Sequence, residues 1–282
     1  MRPGEPQPIA PSVTIIRPSR GLVSLDLAEI WDYRELLYFL VWRDVKVRYK
    51  QTALGAAWAV LQPVLTMLVF SLVFGRLARI PSGGVPYPIF AFAGLLPWQL
   101  FAHALTDSGN SLITHQSLIT KVYFPRLILP LSAVLAGLVD FAVAFLVLAG
   151  MMMHDRIVPG AALLLLPAFV LLAILTAFAV GVWLAALNVR YRDVRYTLPF
   201  LTQFWLFATP IAYPSSMVPD AWRPLYGLNP MAGVVEGFRW ALLGQGEGVG
   251  PMLLVSIAMV IFLLAGGVIY FKKTERTFAD LV

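Results

Sequence analysis

The sequence contains no cysteine and few charged residues. The missing cysteine excludes disulfide bonds, thiolate chemistry and cysteine-ligated metal sites. The three histidines, His103, His115 and His154, lie too far apart along the chain to form a local metal-binding motif. Charged residues make up 13% of the chain, against about 25% in a typical soluble domain. These figures exclude an ordinary soluble enzyme and a disordered chain.

Motifs of phosphate-binding and hydrolytic enzymes are also missing. A P-loop places a lysine directly after a glycine, and none of the five lysines follows a glycine. The GxSxG and HExxH motifs and a paired-carboxylate arrangement do not occur either. We therefore expect no catalytic residue, no metal site and no ATPase on this chain.

The N-terminal segment, residues 1–30, is rich in proline, which occurs at positions 3, 6, 8, 11 and 18. It contains no apolar run of the length found in signal peptides, so we expect no cleavage there. Its composition favours an extended or disordered leader, to which we assign no function.

Apolar residues dominate the rest of the chain, at 59% of the whole and a mean hydropathy of +0.78. A helix needs about 20 such residues to cross a membrane, and the uncharged stretches predict an all-α integral membrane protein with six transmembrane helices. These stretches lie between Lys50 and Arg76, Arg79 and Asp107, Leu127 and Met153, Arg156 and Arg190, Arg195 and Asp220, and Glu247 and Lys272, and only the third is interrupted by a charged residue, Asp140. The fifth is shortened by Pro210 and Pro214. Met231–Leu243 is too short to cross and predicts a re-entrant or interfacial helix between the fifth and sixth spans.

The distribution of basic residues supports this count and gives an orientation. With six spans and the N-terminus in the cytoplasm, 16 of the 21 lysines and arginines fall in cytoplasmic segments. That bias agrees with the positive-inside rule. A seventh span at 231–243 would place Lys272, Lys273 and Arg276 outside. We therefore expect a multi-pass protein whose two termini are cytoplasmic.

The segment before the first span, residues 31–52, has the pattern of an amphipathic helix. Its apolar face carries Tyr38, Val41, Trp42, Val45 and Tyr49. Such a helix lies on the inner leaflet, with its cations directed at phosphate headgroups or at a cytosolic partner. The pattern leaves both interpretations open, a lipid anchor and a connector to a cytosolic motor. The cations assigned to this interface helix are Arg43, Lys46, Arg48 and Lys50.

Asp140 is the one acid deep inside a predicted span. A charge at such depth costs roughly 2.5–3.5 kcal/mol on insertion scales. We expect Asp140 to be protonated, or paired with a hydroxyl or a basic group of another helix or subunit. A role in helix packing is favoured over a role in ion coupling, because no partner acid or histidine is evident.

The fifth predicted span carries an aromatic stripe, since Phe200, Phe204 and Phe207 recur at helical spacing beside Gln203 and Trp205. Such a stripe can stack on sugar rings while an amide binds a hydroxyl. Lipid-facing or packing aromatics are the more common alternative. The region that follows is punctuated by prolines and contains Tyr213, Trp222 and Tyr226, then Glu236 and Arg239 in the short helix. It could gate a pathway at the outer face or simply cap the bundle.

Five motifs together resemble the permease subunit of a type-2 ABC polysaccharide exporter, the family that moves lipid-linked O-antigen, capsule or teichoic-acid chains. The resemblance runs from about residue 31 to the C-terminus with its motifs in order, and it does not indicate which polymer is carried. The motifs are RDVKVRYKQTALGAAWAVLQPVL (43–65), SLITKVYFPR (117–126), NVRYRDV (188–194), QFWLFATPIAYPSSMVP (203–219) and LNPMAGVVEGFRWALLG (228–244).

The resemblance implies a transmembrane domain over 53–282 in a bacterial cytoplasmic (inner) membrane. It implies a homodimer that works with two copies of a cytosolic ABC ATPase, which would bind the ATP and Mg²⁺. Residues 31–52 would be the interface helix beside the ATPase, and 214–243 would form short outer gate helices. The pathway for the lipid-linked polysaccharide would lie between the protomers, lined partly by the first and fifth spans. The coupling helix at 111–124 would dock into the ATPase through Thr114, Gln116, Ser117, Lys121 and Tyr123.

Three other functions remain open from the residues. One is a type-2 ABC permease for a drug or small lipid, although such chains often carry a larger outer domain or a fused ATPase. Another is a membrane enzyme such as a lipid-modifying transferase, for which His103 and Asp107 are the only near pair. The third is a membrane scaffold without transport activity. Nothing in the sequence indicates nucleic-acid binding.

Overall fold

The computed structural model describes residues 27–50, 57–219, 221–246 and 248–278, and within these ranges the regular structure is entirely helical. The proline-rich leader up to residue 26 lies outside the described residues, as do 51–56. A π-helical segment, Ser71–Leu77, continues α3, and 3₁₀ turns lie at Ala161–Leu165, Ser215–Met217 and Glu275–Thr277. The α-helices are α1 (Leu27–Asp32), α2 (Arg34–Lys50), α3 (Ala57–Phe70), α4 (Tyr87–Thr114), α5 (Gln116–Lys121), α6 (Ile128–His154), α7 (Leu166–Arg190), α8 (Val194–Phe207), α9 (Arg223–Tyr226), α10 (Pro230–Leu243) and α11 (Pro251–Thr274).

Five helical stretches in the described part of the chain are long and apolar enough to cross a membrane. They are Ala57–Leu77, Tyr87–Thr114, Ile128–His154, Ala161–Arg190 and Pro251–Thr277. The sequence predicted a sixth in the Arg195–Asp220 stretch, and there the structure differs. The helix in that stretch is α8, which has 14 residues and a length of about 21 Å. It ends at Phe207 because Pro210 has no N–H to donate and disfavours helical geometry at the residue before it.

Helix α4 is the centre of the bundle. Of its apolar window 78% is buried, against 17% for the α3 stretch, and α4 packs against α3, α6, α7, α8 and α10. Small residues permit this close packing, as they do between membrane helices in general. At Gly181 of α7, a Cβ atom would lie 2.3 Å from Oγ of Ser108 in α4. The α4–α7 contact therefore requires glycine at that position.

The predicted amphipathic helix at 31–52 is two helices in the structure, α1 and α2, which meet at Tyr33. Positions 51 and 52 lie outside the described residues. Tyr38 and Trp42, on the predicted apolar face, are exposed. A second apolar face, which the sequence pattern did not indicate, holds α2 on the bundle: Leu40 is buried and Leu37 packs against the same cluster.

Helix α10 lies where a short helix was predicted, and it is buried on nearly all sides. The Asn229 side chain accepts a hydrogen bond from the Met231 N–H (3.1 Å) at its start, and Gly244 ends it with a left-handed φ of 68°. Twelve of its 14 residues are buried, against α4, α7 and α11. It is therefore part of the bundle core and does not lie on the surface as a cap.

Candidate functional sites

Helix α5 forms a small exposed surface at the end of α4. The stretch 111–124 was predicted as one helix, but α4 continues to Thr114 and the chain breaks at His115 before α5 begins. Ile119 is buried and anchors α5 to the bundle, so the polar side chains around it point away from the core. We call these residues the α5 surface: Thr114, Gln116, Ser117, Thr120, Lys121 and Tyr123, all of which are exposed.

Helix α2 holds the α4–α5 break through His115. The imidazole Nδ1 lies 2.8 Å from the Ser111 carbonyl, which can only accept, so Nδ1 carries the proton. The Arg43 guanidinium then donates to the free Nε2. Burial lowers the pKa of His115 below its usual value, and this effect outweighs the hydrogen bond to the Ser111 carbonyl, which raises the pKa. The neighbouring Arg43 cation lowers the pKa further, against a smaller opposing effect of Asp44. The neutral imidazole is therefore the form that fits the contact.

Arg48 ties the end of α2 to two long helices. Its guanidinium donates to Asp107 of α4 (2.7 Å) and to Asp140 of α6, and the Tyr49 hydroxyl also donates to Asp140. These contacts correct the prediction that Arg48 faces lipid headgroups or a cytosolic partner. They supply the basic group and the hydroxyl expected for Asp140. Lys46 and Lys50 remain exposed, with the Lys46 ammonium 5.4 Å from the Trp42 ring centroid.

Asp107 is a second partner of Arg48 that the sequence pattern did not indicate. Asp107 lies at the charged end of the second predicted span, a position typical of a solvated residue. A usable signal was present: two isolated acids in adjacent long helices need a shared cation, and the helix preceding them supplies one.

Two cavities meet at the Arg48 contact. The first, which we call the α5-side cavity, has a volume of about 870 Å³ and lies among α2, α4, α5 and α6. The second, the α3-side cavity, has a volume of about 330 Å³ and lies among α2, α3, α4 and α6. Arg48 and Asp107 line both, so their ion pair forms part of the wall between them.

The aromatic stripe on α8 is present but does not include every predicted member. Phe200, Phe204 and Phe207 are 72%, 66% and 60% exposed, and Gln203 is exposed beside them. Trp205 points the other way: its ring packs edge-on against Phe101 at 5.1 Å, and its Nε1–H donates to Asn229 Oδ1 at 2.8 Å. Trp205 is thus a packing residue that holds α8 against α4.

The backbone after α8 is irregular and is fixed by side-chain donors from other helices. The Tyr226 hydroxyl donates to the Ala208 carbonyl (2.9 Å) and contacts the Tyr213 hydroxyl at 2.5 Å. Asn229 also donates to the Ala208 carbonyl, and Tyr87 of α4 donates to the Ala212 carbonyl. Irregular backbone inside an apolar bundle requires such partners, because no lipid can supply them.

Arg239 of α10 supplies the largest part of this support. It is 1% exposed and donates to the carbonyls of Phe90 (3.3 Å), Pro210 (2.6 Å), Ile211 (2.5 Å) and Tyr213 (3.3 Å). Its guanidinium carbon also lies 3.7 Å from the Phe90 ring centroid. Space for it exists because position 94 is glycine, where a Cβ would lie 2.6 Å from Nη2.

The residues predicted as an outer gate therefore separate into two groups. Arg239 and Glu236 are buried inside the bundle, and Tyr226 holds the backbone after α8. The burial of Glu236 and Arg239 gives both side chains a packing role, and the outer-gate assignment stays a prediction. Trp222 is 61% exposed and remains available for contact with lipid or another chain.

Comparison with known proteins gives consistent matches over most of the chain. The ABC-2 type transporter family matches residues 35–243. The O-antigen export system permease protein RfbA of Myxococcus xanthus is 32% identical over 262 residues, which cover 90% of this chain and 98% of that protein. RfbA of Klebsiella pneumoniae is 28% identical over 258 residues, covering 88% and 95%. The polysialic acid transport protein KpsM of Escherichia coli is 24% identical over 240 residues, covering 83% and 91%.

Proposed function

Because the chain belongs to the ABC-2 type transporter family, we propose that it is the membrane subunit of an ATP-driven exporter that moves lipid-linked polysaccharide across the cytoplasmic membrane of a bacterium. It is a multi-pass transport subunit and not an enzyme, and ATP hydrolysis belongs to a separate subunit of such transporters. The observation that carries the substrate class is the near full-length similarity to O-antigen and polysialic acid permeases.

The α5 surface is the proposed docking site for the ATPase, two copies of which would serve a homodimer of this chain and bind the ATP and Mg²⁺. A buried Ile119 and a ring of exposed polar side chains give a rigid, solvent-facing projection, which suits contact with a soluble partner. The Lys121 side chain adds a positive charge that would pair with an acidic side chain of the ATPase. This placement puts α5 and both termini in the cytoplasm, in agreement with the distribution of basic residues.

Motion of the docked ATPase would reach the spans by two routes. One is the direct connection of α5 to α4 through the break at His115. The other is α2, which contacts His115 through Arg43 and grips α4 and α6 through Arg48. Closure of the ATPase pair on ATP would thus displace α2 and α4 together as rigid elements, and open the seam between the protomers.

The polymer pathway would lie at that seam, lined by α3 and α8. The α3 stretch is the least buried of the five long helices, and the Phe200, Phe204 and Phe207 rings of α8 are exposed among the described residues. A second protomer facing them would enclose a continuous aromatic channel. Aromatic faces bind successive sugars without regard to polymer length. In this arrangement α8 and the re-entrant α10 together complete the sixth crossing, with the proline-rich segment and Trp222 at its outer end.

Co-purification with the neighbouring ATPase tests the assembly. The chain is tagged and co-expressed with the ATPase encoded beside it, and the purified material is assayed for equal stoichiometry and ATP hydrolysis. Lys121→Glu should reduce ATPase recovery, whereas Arg156→Glu should not, because Arg156 is an exposed cation at the opposite end of α6. If the chain purifies alone from cells that contain the ATPase, the proposal is wrong.

Export of surface polysaccharide tests the pathway. Phe204→Ala combined with Phe207→Ala should impair export while leaving ATPase recovery intact, because stacking surface is lost and packing is not. Phe262→Ala is the matched control, since Phe262 is 72% exposed on α11, away from α8. Normal export by the α8 double variant would remove the stacking role.

A further inference from the structure

The α3-side cavity is lined partly by polar and aromatic side chains, whereas a packing defect is lined by apolar ones. It lies at the depth of the spans, and apolar cavities in protein interiors are usually dry. This one contains polar side chains from four helices together with an aromatic ring. Its volume of about 330 Å³ falls at the lower end of the range found for small-molecule sites. The lining includes Trp58, Gln62, Gln99, His103, Asp107 and Asp140.

Three of these polar side chains have unused hydrogen-bonding capacity. Within the described residues, Gln62, Gln99 and His103 form no hydrogen bond to another part of the chain. Each amide offers two donor hydrogens and an acceptor oxygen, and a neutral imidazole offers one donor and one acceptor. They come from α3 and α4, on adjoining walls of one space. A ligand rich in hydroxyl groups would satisfy them together.

The charge balance of the cavity selects the kind of ligand. Asp107 and Asp140 share the single guanidinium of Arg48, and the one other basic group of the lining is the His103 imidazole. The cavity therefore offers no cation in excess of its two carboxylates, and a phosphate or another anion is disfavoured. Carboxylate oxygens accept hydrogen bonds from hydroxyls, and a neutral polyhydroxylated molecule carries no opposing charge.

The aromatic ring completes the site. Trp58 is 50% exposed, and it faces the cavity from α3 next to Gln62, one helical turn away. The C–H face of a sugar ring stacks on an aromatic face while its hydroxyls bind amides and carboxylates. We propose that the α3-side cavity is a binding subsite for one or two neutral sugar residues of the exported chain, separate from the α8 stripe. This proposal rests on the proposed function.

Thiol protection tests occupancy directly, because the chain has no native cysteine. Gln99→Cys places the only thiol of the chain in the cavity, and Ser216→Cys places one in an exposed turn far from it. Each variant is expressed with its ATPase in cells that make the polymer and in cells whose first sugar-transfer step is deleted. The rate of modification by 2-aminoethyl methanethiosulfonate is then measured. We expect about fivefold slower modification of Gln99→Cys in polymer-making cells and no difference for Ser216→Cys.

Export by cavity variants is the second measurement, and it distinguishes direct contact with the sugar from a conformational change of the protein. Trp58→Ala and Gln62→Ala should each lower export about five- to tenfold, the effect of losing one aromatic or hydrogen-bonded contact. Trp58→Phe should retain most of the export because it keeps an aromatic face. ATPase recovery should be normal in all three.

The outcomes distinguish the two proposals. If wild-type cells export no polymer or the chain recovers no ATPase, the proposed function fails and the subsite fails with it. If wild-type export is normal but Gln99→Cys reacts equally in both strains, the subsite is refuted and the function stands. Normal export by Trp58→Ala and Gln62→Ala would also refute the subsite.

Discussion

Replacing Arg239 should destabilise the fold more than replacing any exposed arginine of the chain. The side chain is buried and donates to four backbone carbonyls, three of which belong to the irregular segment after α8. In Arg239→Ala these carbonyls lose their donor in a place that water does not reach. Removing a partner from a buried polar group costs about 1–3 kcal/mol for each group.

The expected loss follows from the two shortest contacts. The Pro210 and Ile211 carbonyls lie 2.6 and 2.5 Å from the guanidinium nitrogens. Leaving both carbonyls without a donor should lower the free energy of unfolding by about 2–6 kcal/mol. The vacated volume adds a cavity cost in the same direction. Arg239→Lys should fall between the wild type and the alanine variant, since an ammonium keeps the charge but cannot form the guanidinium fork.

The assay is denaturant unfolding of the purified chain in detergent, followed by tryptophan fluorescence. Arg195→Ala is the control, because Arg195 is exposed on α8. Gly94→Ala is an independent check: it leaves every donor in place but sets a Cβ 2.6 Å from the Arg239 nitrogen, and it too should destabilise. Arg239→Ala unfolding within about 0.5 kcal/mol of Arg195→Ala would refute the support assigned to this side chain.

Three further outcomes are expected from the same unfolding assay. Arg48→Ala should cost about 1–2 kcal/mol, discounted for its partial exposure, and Asp140→Asn in that background should restore part of the loss by removing the uncompensated charge. Because burial lowers the pKa of His115, the neutral imidazole stabilises the fold fully above about pH 6.5, and this stabilisation is lost as the pH falls below that value. The unfolding free energy of His115→Gln should lack this acid-dependent loss. If the wild type and His115→Gln show the same pH profile, the assignment is wrong. Gly181→Ala should cost about 1–3 kcal/mol through overpacking, whereas Gly150→Ala, which meets open space, should be neutral.

Most helix positions could be predicted from the sequence, because apolar length and residues at the helix ends determine them. The helix predicted at 231–243 begins one residue earlier in the structure, and both of its ends carry familiar signals, a proline at its first position and a glycine after its last. The end of α8 is likewise set by Pro210. Five long helices follow from apolar length alone. The sixth predicted span is not one long helix in the structure. Apolar composition over about 20 residues does not reveal that a helix ends partway through the stretch.

The pairing of side chains between helices could not be predicted. Arg48 is 59 residues from Asp107 and 92 from Asp140, and nothing in a local pattern connects them. No proline or glycine lies at the helix break at His115, so the sequence carries no local signal for it. Trp205 adjoins the aromatic stripe of α8 in the sequence, but its N–H points inward and donates to Asn229. In each case a long-range contact decided the position, and periodicity reports only which face of a helix is apolar.

The wall that Arg48 forms with Asp107 between the two cavities bears on how the resting protein preserves the ion gradients of the cell. A polar cavity on each side of one ion pair is a short distance from one continuous polar space between the helices. Each elementary charge that crosses dissipates about 2.3 kcal/mol per 100 mV of membrane potential. The Arg48–Asp107 ion pair occupies the junction, so the two cavities do not join there. The same side chain that holds α2 on the bundle thereby keeps the two polar cavities apart.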